Sequence, residues 1–439
     1  MNMMKNSSLP IVGLVFLMYA STSCKESDLF NEEDYKHFVE TSFPVEGIDP
    51  MQDWSTVQKY TLQVGIGYSD SYLLRVYTES PAYASSRLLN TSYVDGNKTY
   101  SISLTVPSIQ KELFICLEDS KGNQRVKKVL LSDSLIDIVF SSSSAVDESL
   151  YSSSDVFKTP MSYTFSYEDC FPQPGDCDFN DAVMDVSLDK TMDKSSGKRY
   201  IDVKVSLRAV GSFTRIAAAM RLSGIKSGQV ATYDRSGDDF YFFGQYGDQD
   251  MLPKFGESNE CMVMPKTDDI VIPVFNDAHY FISGGKTMSA LPYRLYYNTK
   301  TDKKDQTATV TDAKSQTFRI EVKDETTFND FSISDVDLFI LEEYNASVFE
   351  VHTQPFKTAE VTREWAAKNA DGISVYDNNY PWALMIPGRF RYPVEGYQIG
   401  IYKGDILAGA YLGFAYWARY RESNKDWYLN PQSSNMVYY

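Results

Sequence analysis

The residues best placed to do chemistry lie in one short stretch, Tyr167-Glu168-Asp169-Cys170-Phe171-Pro172-Gln173-Pro174-Gly175-Asp176-Cys177-Asp178-Phe179-Asn180-Asp181. Asp176, Asp178 and Asn180 occupy positions 1, 3 and 5 after a turn opened by Pro174-Gly175. A hard cation such as Ca2+ takes 6–8 oxygen ligands at ~2.3–2.6 Å, and a curling D-x-D-x-N loop delivers three of them from one piece of chain. The remaining oxygens are expected from Asp181, from Glu168 or Asp169 just upstream, or from backbone and water. An EF-hand is excluded, because position 6 is Asp181 where glycine is needed and position 12 is Ser187 where a bidentate Glu is needed. Asp185 is a poorer candidate, since on a strand it would lie ~13 Å from Asp181 at ~3.3 Å per residue.

Two other readings of the same stretch stay open. One is an Asx-rich turn whose carboxylates cap backbone N–H groups. The other is a carboxylate pair doing acid/base work, which needs two groups with divergent pKa values. Crowding so many acids is electrostatically unfavourable unless something cationic neutralises them, so the cation reading leads.

Cys170 and Cys177 bracket the Pro-Gly turn, and a bridge between them would close an eight-residue loop, worth ~2.5 kcal/mol by the chain-entropy relation. We expect this disulfide to pre-shape the cation loop; two unpaired thiols packed as small hydrophobes are the alternative. Cys116 sits in the apolar run Leu113 to Leu117 and reads as core, while Cys261 has no evident role.

Catalytic motifs are absent from the sequence: there is no G-x-S-x-G, no H-E-x-x-H and no P-loop. Three histidines, His37, His279 and His352, are scattered, and His352 reads as a satisfied structural residue. Trp382, Trp417 and Trp427 with their Tyr neighbours could stack on a glycan, although in β-proteins such aromatics are more often core.

The elements that must position this loop read as strands. With 32 Tyr, 25 Phe and only 3 His, the composition favours pleated surfaces over helices and starves any His-based zinc site. From Phe43 to Phe140, alternating runs at Tyr60 to Val64, Ser71 to Tyr77, Tyr100 to Val106, Glu112 to Leu117 and Val126 to Leu131 are separated by turns such as Asp95-Gly96-Asn97 and Lys121-Gly122-Asn123. This spacing predicts an N-terminal, Ig-like β-sandwich over 43–145. The Ser-rich stretch Ser141 to Ser154 marks a boundary. Residues 155–439 resume the pattern, notably at Tyr200 to Leu207 and Phe318 to Val322, and predict a larger β-sandwich of jelly-roll type. Short helices are expected at Ala359 to Ala370 and Asp405 to Tyr420.

At the N-terminus, Lys5 precedes an apolar run from Leu9 to Ala20, and Ser21-Thr22-Ser23 leads into Cys24. About a dozen apolar residues is too short for a span, which needs ~20, so residues 1–23 read as a secretory signal. Cys24 is the expected lipidation site, carrying diacylglycerol and palmitate-type chains that bury ~0.8 kcal/mol per CH2. Residues 24–42 read as an acid-rich tether. Removing residues 1–23 takes away Lys5 and no acid, so the formal charge goes from −17 to −18. That balance argues against nucleic acid, whose binding depends on Lys and Arg displacing counterions.

The run Tyr167-Glu168-Asp169, then Gly175-Asp176, Asp178-Phe179-Asn180-Asp181 and Val183, resembles the signature of the LruC-domain family of bacterial surface lipoproteins. Val351-His352, Pro381-Trp382-Ala383 with Ile386-Pro387, Tyr392-Pro393 with Glu395, Phe414 with Trp417-Ala418 and Asp426-Trp427-Tyr428 agree, as do Phe43-Pro44, Asp49-Pro50 and Asp53-Trp54 upstream. The resemblance implies a β-rich, calcium-binding surface domain without enzymatic activity, with Asp176, Asp178, Asn180 and Asp181 as ligands and Glu168 and Asp169 as second choices. Cys170 and Cys177 depart from the pattern. The functional expectation is a non-catalytic lipoprotein of the outer membrane or cell surface, engaged in adhesion or ligand binding. A glycan-binding accessory of a polysaccharide-uptake system, a glycoside hydrolase and a strand-donating pilus-like subunit are the alternatives.

Overall fold

The computed structural model describes residues 45, 47–169, 171, 175–193, 195–238, 262–263, 268–284, 295–301, 307–308, 312–344, 347–353, 356, 381–400 and 409–439. Cys24, Cys170, Cys261 and the helix expected at Ala359 to Ala370 lie outside them. Among the described residues no helix is long and apolar enough to cross a membrane.

Eight strands build the first unit: β1 (Val57–Ile66), β2 (Ser71–Tyr77), β3 (Leu88–Asp95), β4 (Lys98–Pro107), β5 (Glu112–Glu118), β6 (Gln124–Leu130), β7 (Leu135–Phe140) and β8 (Ser149–Tyr151). They form two sheets, ordered β4-β1-β7 and β3-β2-β5-β6-β8. Alternation drives the arrangement. Leu62, Val64 and Ile66 of β1 and Ile102, Leu104 and Val106 of β4 meet Leu74 and Val76 of β2 and Leu113, Ile115 and Leu117 of β5 in one core. Between β3 and β4 the chain turns at Gly96-Asn97, where Asn97 has a φ of 58°. A Cβ on Gly96 would sit 2.1 Å from the Tyr68 carbonyl oxygen, so only glycine fits. Within the Ser-rich stretch, β8 extends the edge of the first unit by pairing with β6.

The second unit comprises β9 (Ser162–Tyr167), β10 (Ala182–Asp193), β11 (Lys198–Ala209), β12 (Ile216–Lys226), β13 (Val230–Gly237), β14 (Met262–Val263), β15 (Asp269–Phe275), β16 (Tyr296–Tyr297), β17 (Thr307–Ala308), β18 (Lys314–Val322), β19 (Val336–Tyr344), β20 (Ser347–Val351), β21 (Ala383–Pro387), β22 (Tyr392–Pro393) and β23 (Val437–Tyr438). A six-stranded sheet, β13-β18-β11-β10-β9-β21, faces a five-stranded sheet, β14-β15-β12-β19-β20. Val203, Val205 and Leu207 of the first share a core with Met220, Leu222, Leu338 and Ile340 of the second, making a β-sandwich. Among the described residues three short helices accompany it: α1 (Ala278–Ile282), α2 (Glu325–Asp330) and α3 (Leu412–Arg419). Helix α3 is the described part of the helix expected at Asp405 to Tyr420.

The chain before β1 packs on the second unit. The Asp49 backbone N–H donates to the Ala418 carbonyl at 2.9 Å, and Gln52 Nε2 to the Trp417 carbonyl at 2.7 Å. Trp54 stacks on Phe414 with ring centroids 5.7 Å apart. The two units also meet at α2. Asn329 Oδ1 accepts from the Tyr93 N–H at 2.9 Å and Asn329 Nδ2 donates to the Tyr93 carbonyl at 3.1 Å, while Thr105 Oγ1 lies 3.0 Å from Ser332 Oγ.

Candidate metal centre

The acidic stretch is the connection from β9 to β10. These strands pair antiparallel with Ala182 opposite Tyr167, so the loop leaves and returns at one point. Two buried rings anchor it: Phe171 meets Trp382 edge-on at 5.1 Å, and Phe179 is fully buried. Cys177 and Phe179 have φ values of 65° and 56°, in the left-handed region that side chains avoid. Glu168 holds this backbone. Its Oε2 accepts from the Cys177 N–H at 2.9 Å and its Oε1 from the Phe179 N–H at 2.5 Å.

Four carboxylates converge. Glu168, Asp176, Asp178 and Asp181 each bring an oxygen to within 4.8 Å of the other three. Glu168, Asp178 and Asp181 are buried and Asp176 is exposed. None of the four forms an ion pair with a Lys, Arg or His of the described residues. Asp185, by contrast, pairs with Arg208 at 2.9 Å and stands apart, as its strand position leads one to expect.

Burial, and then the charge of a neighbouring acid, make each member resist ionisation. Glu168 and Asp178 are held well above the usual carboxylate range by burial and next by Asp176. Asp181 is raised by burial and next by Asp169. Although Asp176 is exposed as a residue, its carboxyl is crowded by protein atoms and by Asp169, which push it up to about 6.

Asn180 and Asp169, the other two residues singled out in sequence, border the cluster. Asn180 Nδ2 donates to Asp178 Oδ2 at 2.5 Å and to the Pro393 carbonyl at 3.2 Å, so its donor end is what it turns to the carboxylates. Its Oδ1 abuts Gly211, where a Cβ would come within 2.1 Å. In this arrangement the amide holds Asp178, and its Oδ1 is buried without a hydrogen-bond partner among the described residues. Asp169 Oδ2 accepts from Ser212 Oγ at 2.6 Å, and the Asp169 N–H donates to Asp181 Oδ2 at 2.7 Å. Cys177 is buried, but Cys170 lies outside the described residues, and so does any bridge between them.

Two neighbours were not signalled by sequence. Ser212 belongs to the segment after β11, which the Gly211 N–H ties to the carbonyls of Asn180 and Asp181 at 3.1 Å each. Tyr296 is 4% exposed, and the charges of Glu395, Asp176, Asp181 and Asp178 all bear on its hydroxyl, which burial first and these carboxylates next raise above its ordinary pKa.

The other candidates resolve as structure. Trp382, Trp417 and Trp427 are 1–2% exposed and form core contacts, so they offer no stacking platform. His352 is buried between Asp337 Oδ1, 2.9 Å from Nδ1, and Glu350 Oε2, 3.0 Å from Nε2. Cys116 is buried in β5 and its thiol is raised by burial.

No curated protein sequence matches the chain. A crystal structure described as a "Putative lipoprotein from Bacteroides ovatus" is similar in fold, with a TM-score of 0.50 and 15% identity, over 84% of this chain and 99% of that one. Residues 199–428, just over half of the chain, match the family described as a domain of unknown function, DUF4842, and the chain belongs to that family.

Proposed function

We propose that the chain is a non-catalytic, lipid-anchored protein of the bacterial outer membrane or cell surface, working in adhesion or ligand binding, in which the loop from β9 to β10 binds Ca2+. The observation that carries the metal reading is the set of four carboxyl oxygens within 4.8 Å of one another, three of their residues buried, with no described protein cation pairing with them. Oxygens around one Ca2+ ion at ~2.4 Å lie up to ~4.8 Å apart, so four oxygens all within that distance can share such an ion. Burying several like charges without a counter-charge costs several kcal/mol per ion, which a divalent cation offsets.

Against glycoside hydrolysis, the catalytic carboxyl pair flanks a bond at ~5–9.5 Å separation, whereas these four crowd one centre. Anchoring rests on Cys24 after its small-residue triplet, and the description of the fold relative from Bacteroides ovatus is in keeping with it.

The test is thermal unfolding of the purified full-length chain in millimolar Ca2+ and in EDTA. Ca2+ should raise the melting temperature, as a ligand bound only by the folded state does, and Asp178→Asn should abolish the rise. Equal melting curves in both solutions would remove the calcium reading.

A further inference from the structure

We infer that the end of α3 and the chain just before β1 form the face that the protein turns to its anchor membrane, with Met51, Tyr416 and Tyr420 seated among the lipid headgroups. The inference rests on the reading of Cys24 as a lipid anchor and goes beyond it by naming the surface that meets the bilayer.

The chain that leads from Cys24 into the body is fastened to the second unit before it enters β1. Val45 is buried in the core of that unit, and the Asp49 N–H and Gln52 Nε2 donate to the Ala418 and Trp417 carbonyls at the end of α3. Trp54 lies against both Phe414 and Trp417, with ring centroids 5.7 and 5.5 Å away. Its φ of 54° is one that a bulky residue keeps only where its surroundings enforce it. From the helix side, Arg421 Nη1 donates to the Met51 carbonyl at 3.0 Å. Whatever pulls on the tether therefore pulls on α3. The residues from 24 to 45 join the anchor to this point, at most ~75 Å when stretched at ~3.3–3.6 Å per residue. Faces far from the strap reach the bilayer only with that chain drawn out, at a cost in its entropy, whereas the face around the strap arrives with the chain slack.

The composition of this face suits a lipid surface. Met51 is 67% exposed, Tyr416 47% and Tyr420 61%. Tyr416 lies on the outer side of α3 and Tyr420 caps its end, one turn further on. Tyr gathers at membrane–water boundaries because an apolar ring with a polar hydroxyl matches the two sides of the boundary, and Met adapts to irregular apolar surroundings. Behind them, Trp427 lies 5.7 Å from Trp417 and 5.1 Å from Phe414, so the tyrosines stand on closely packed rings. Charge does not oppose the approach. Residues 47–54 and 411–430 carry two Arg, one Lys, three Asp and one Glu, close to neutral on a chain of net charge −17. The Arg and Lys stems can lie along apolar surface while their heads reach water or phosphate.

The experiment is hydroxyl-radical footprinting, read by mass spectrometry, of the acylated mature chain on vesicles of phosphatidylethanolamine and phosphatidylglycerol. The mature chain carrying Cys24→Ala, free in solution, is the reference. Oxidation of Met51, Tyr416 and Tyr420 on vesicles should fall about threefold or more, as for groups set ~5–10 Å into the headgroup boundary, while Tyr83 of the first unit, 62% exposed, should react as in solution. Tyr416→Ser together with Tyr420→Ser should return Met51 to its solution rate, with the chain still floating with the vesicles. The inference is overturned if the three residues on vesicles react as fast as in solution, if Tyr83 is protected equally, or if Met51 stays protected in the double variant. In each of those cases a chain that floats keeps its anchor and loses only the contact face. Protection that appears in the Cys24→Ala chain as its concentration is raised, without vesicles, would assign the face to a second copy instead. A mature chain whose intact mass shows no acyl group on Cys24 removes the anchor, and the inference with it.

Discussion

Gly175 lies so close to Glu168 that a Cβ at position 175 would come within 2.4 Å of Glu168 Oε2. That oxygen also accepts the Cys177 N–H, so the glycine lets the chain pass directly over the carboxylate that shapes the loop. Gly175→Ala should push Glu168 off its backbone donors, lower the melting temperature by an amount corresponding to about 1–3 kcal/mol, and reduce the Ca2+-induced rise. Calorimetry in Ca2+ and EDTA checks both effects. An alanine variant with an undiminished Ca2+ response would show that Glu168 does not organise the site.

The cluster gives the metal response a defined pH dependence. Asp176 is pushed up to about 6, and Glu168, Asp178 and Asp181 are raised as well, against unfolded values of ~3.9–4.3. A carboxyl raised in the folded state contributes stability that is present below its unfolded pKa and lost as pH rises through its folded pKa. Without metal, therefore, this cluster destabilises the chain increasingly from about pH 4 to pH 6 and above. Ca2+ binds the ionised form, so its effect runs the other way. The difference between melting temperatures in Ca2+ and in EDTA should be large at pH 7 and shrink toward pH 5. A difference independent of pH over that range would place the ion elsewhere.

How much of this was legible in the sequence depended on whether partners were neighbours in the chain. Ser71 to Tyr77 and the turn at Asp95-Gly96-Asn97 stand where alternation and turn chemistry put them, because strand period and turn residues are local signals. Strand β3 was not legible: its buried Asn90, Thr91 and Ser92 break the apolar alternation. The acidic cluster could be read because its four members fall within fourteen residues. The surroundings of Asn180, its bond to the Pro393 carbonyl and its contact with Gly211, come from residues distant in sequence. Ser212 and Tyr296 carry no motif; the bonds of Gly211 to the loop carbonyls and the pairing of Val210 with Tyr297 bring them beside the acids.

His352 supplies a prediction away from the metal centre. Burial pulls its pKa down, but Asp337 and Glu350 outweigh burial and raise it to about 9, while Phe339 stacks on the ring at 4.5 Å. A histidine raised in the folded state contributes stability that is complete below about pH 6.5 and lost as pH rises through about 9. His352→Gln should therefore cost most at pH 6, on the order of 3–5 kcal/mol for a broken buried ion pair, and clearly less at pH 9.5. Denaturant titrations at the two pH values make the comparison, and an equal loss at both would mean that the imidazole is neutral in the folded chain.

Lys190 tests the junction between the two units. It is fully buried on β10, and its Nζ donates to the carbonyls of Asn329 at 3.1 Å and Phe331 at 2.9 Å, at the end of α2. Asn329 is the residue that bonds Tyr93 of the first unit, so the lysine secures the piece of chain through which the units meet. Burial lowers its pKa to about 7, with Asp330 and Asp335 opposing the shift. For a lysine lowered in this way, the stability it contributes is present above its unfolded value of ~10.4 and is lost as pH falls through about 7. Lys190→Met leaves both carbonyls without their donor, at about 1–3 kcal/mol each, but also removes the cost of a buried ammonium. The destabilisation by Lys190→Met should then grow steadily from pH 7 to pH 10. Because Asn329 loses its support, amide exchange at Tyr93 should quicken along with it. A loss that is flat with pH, with Tyr93 protected as in wild type, would mean that the lysine neither titrates in this range nor holds the two units together.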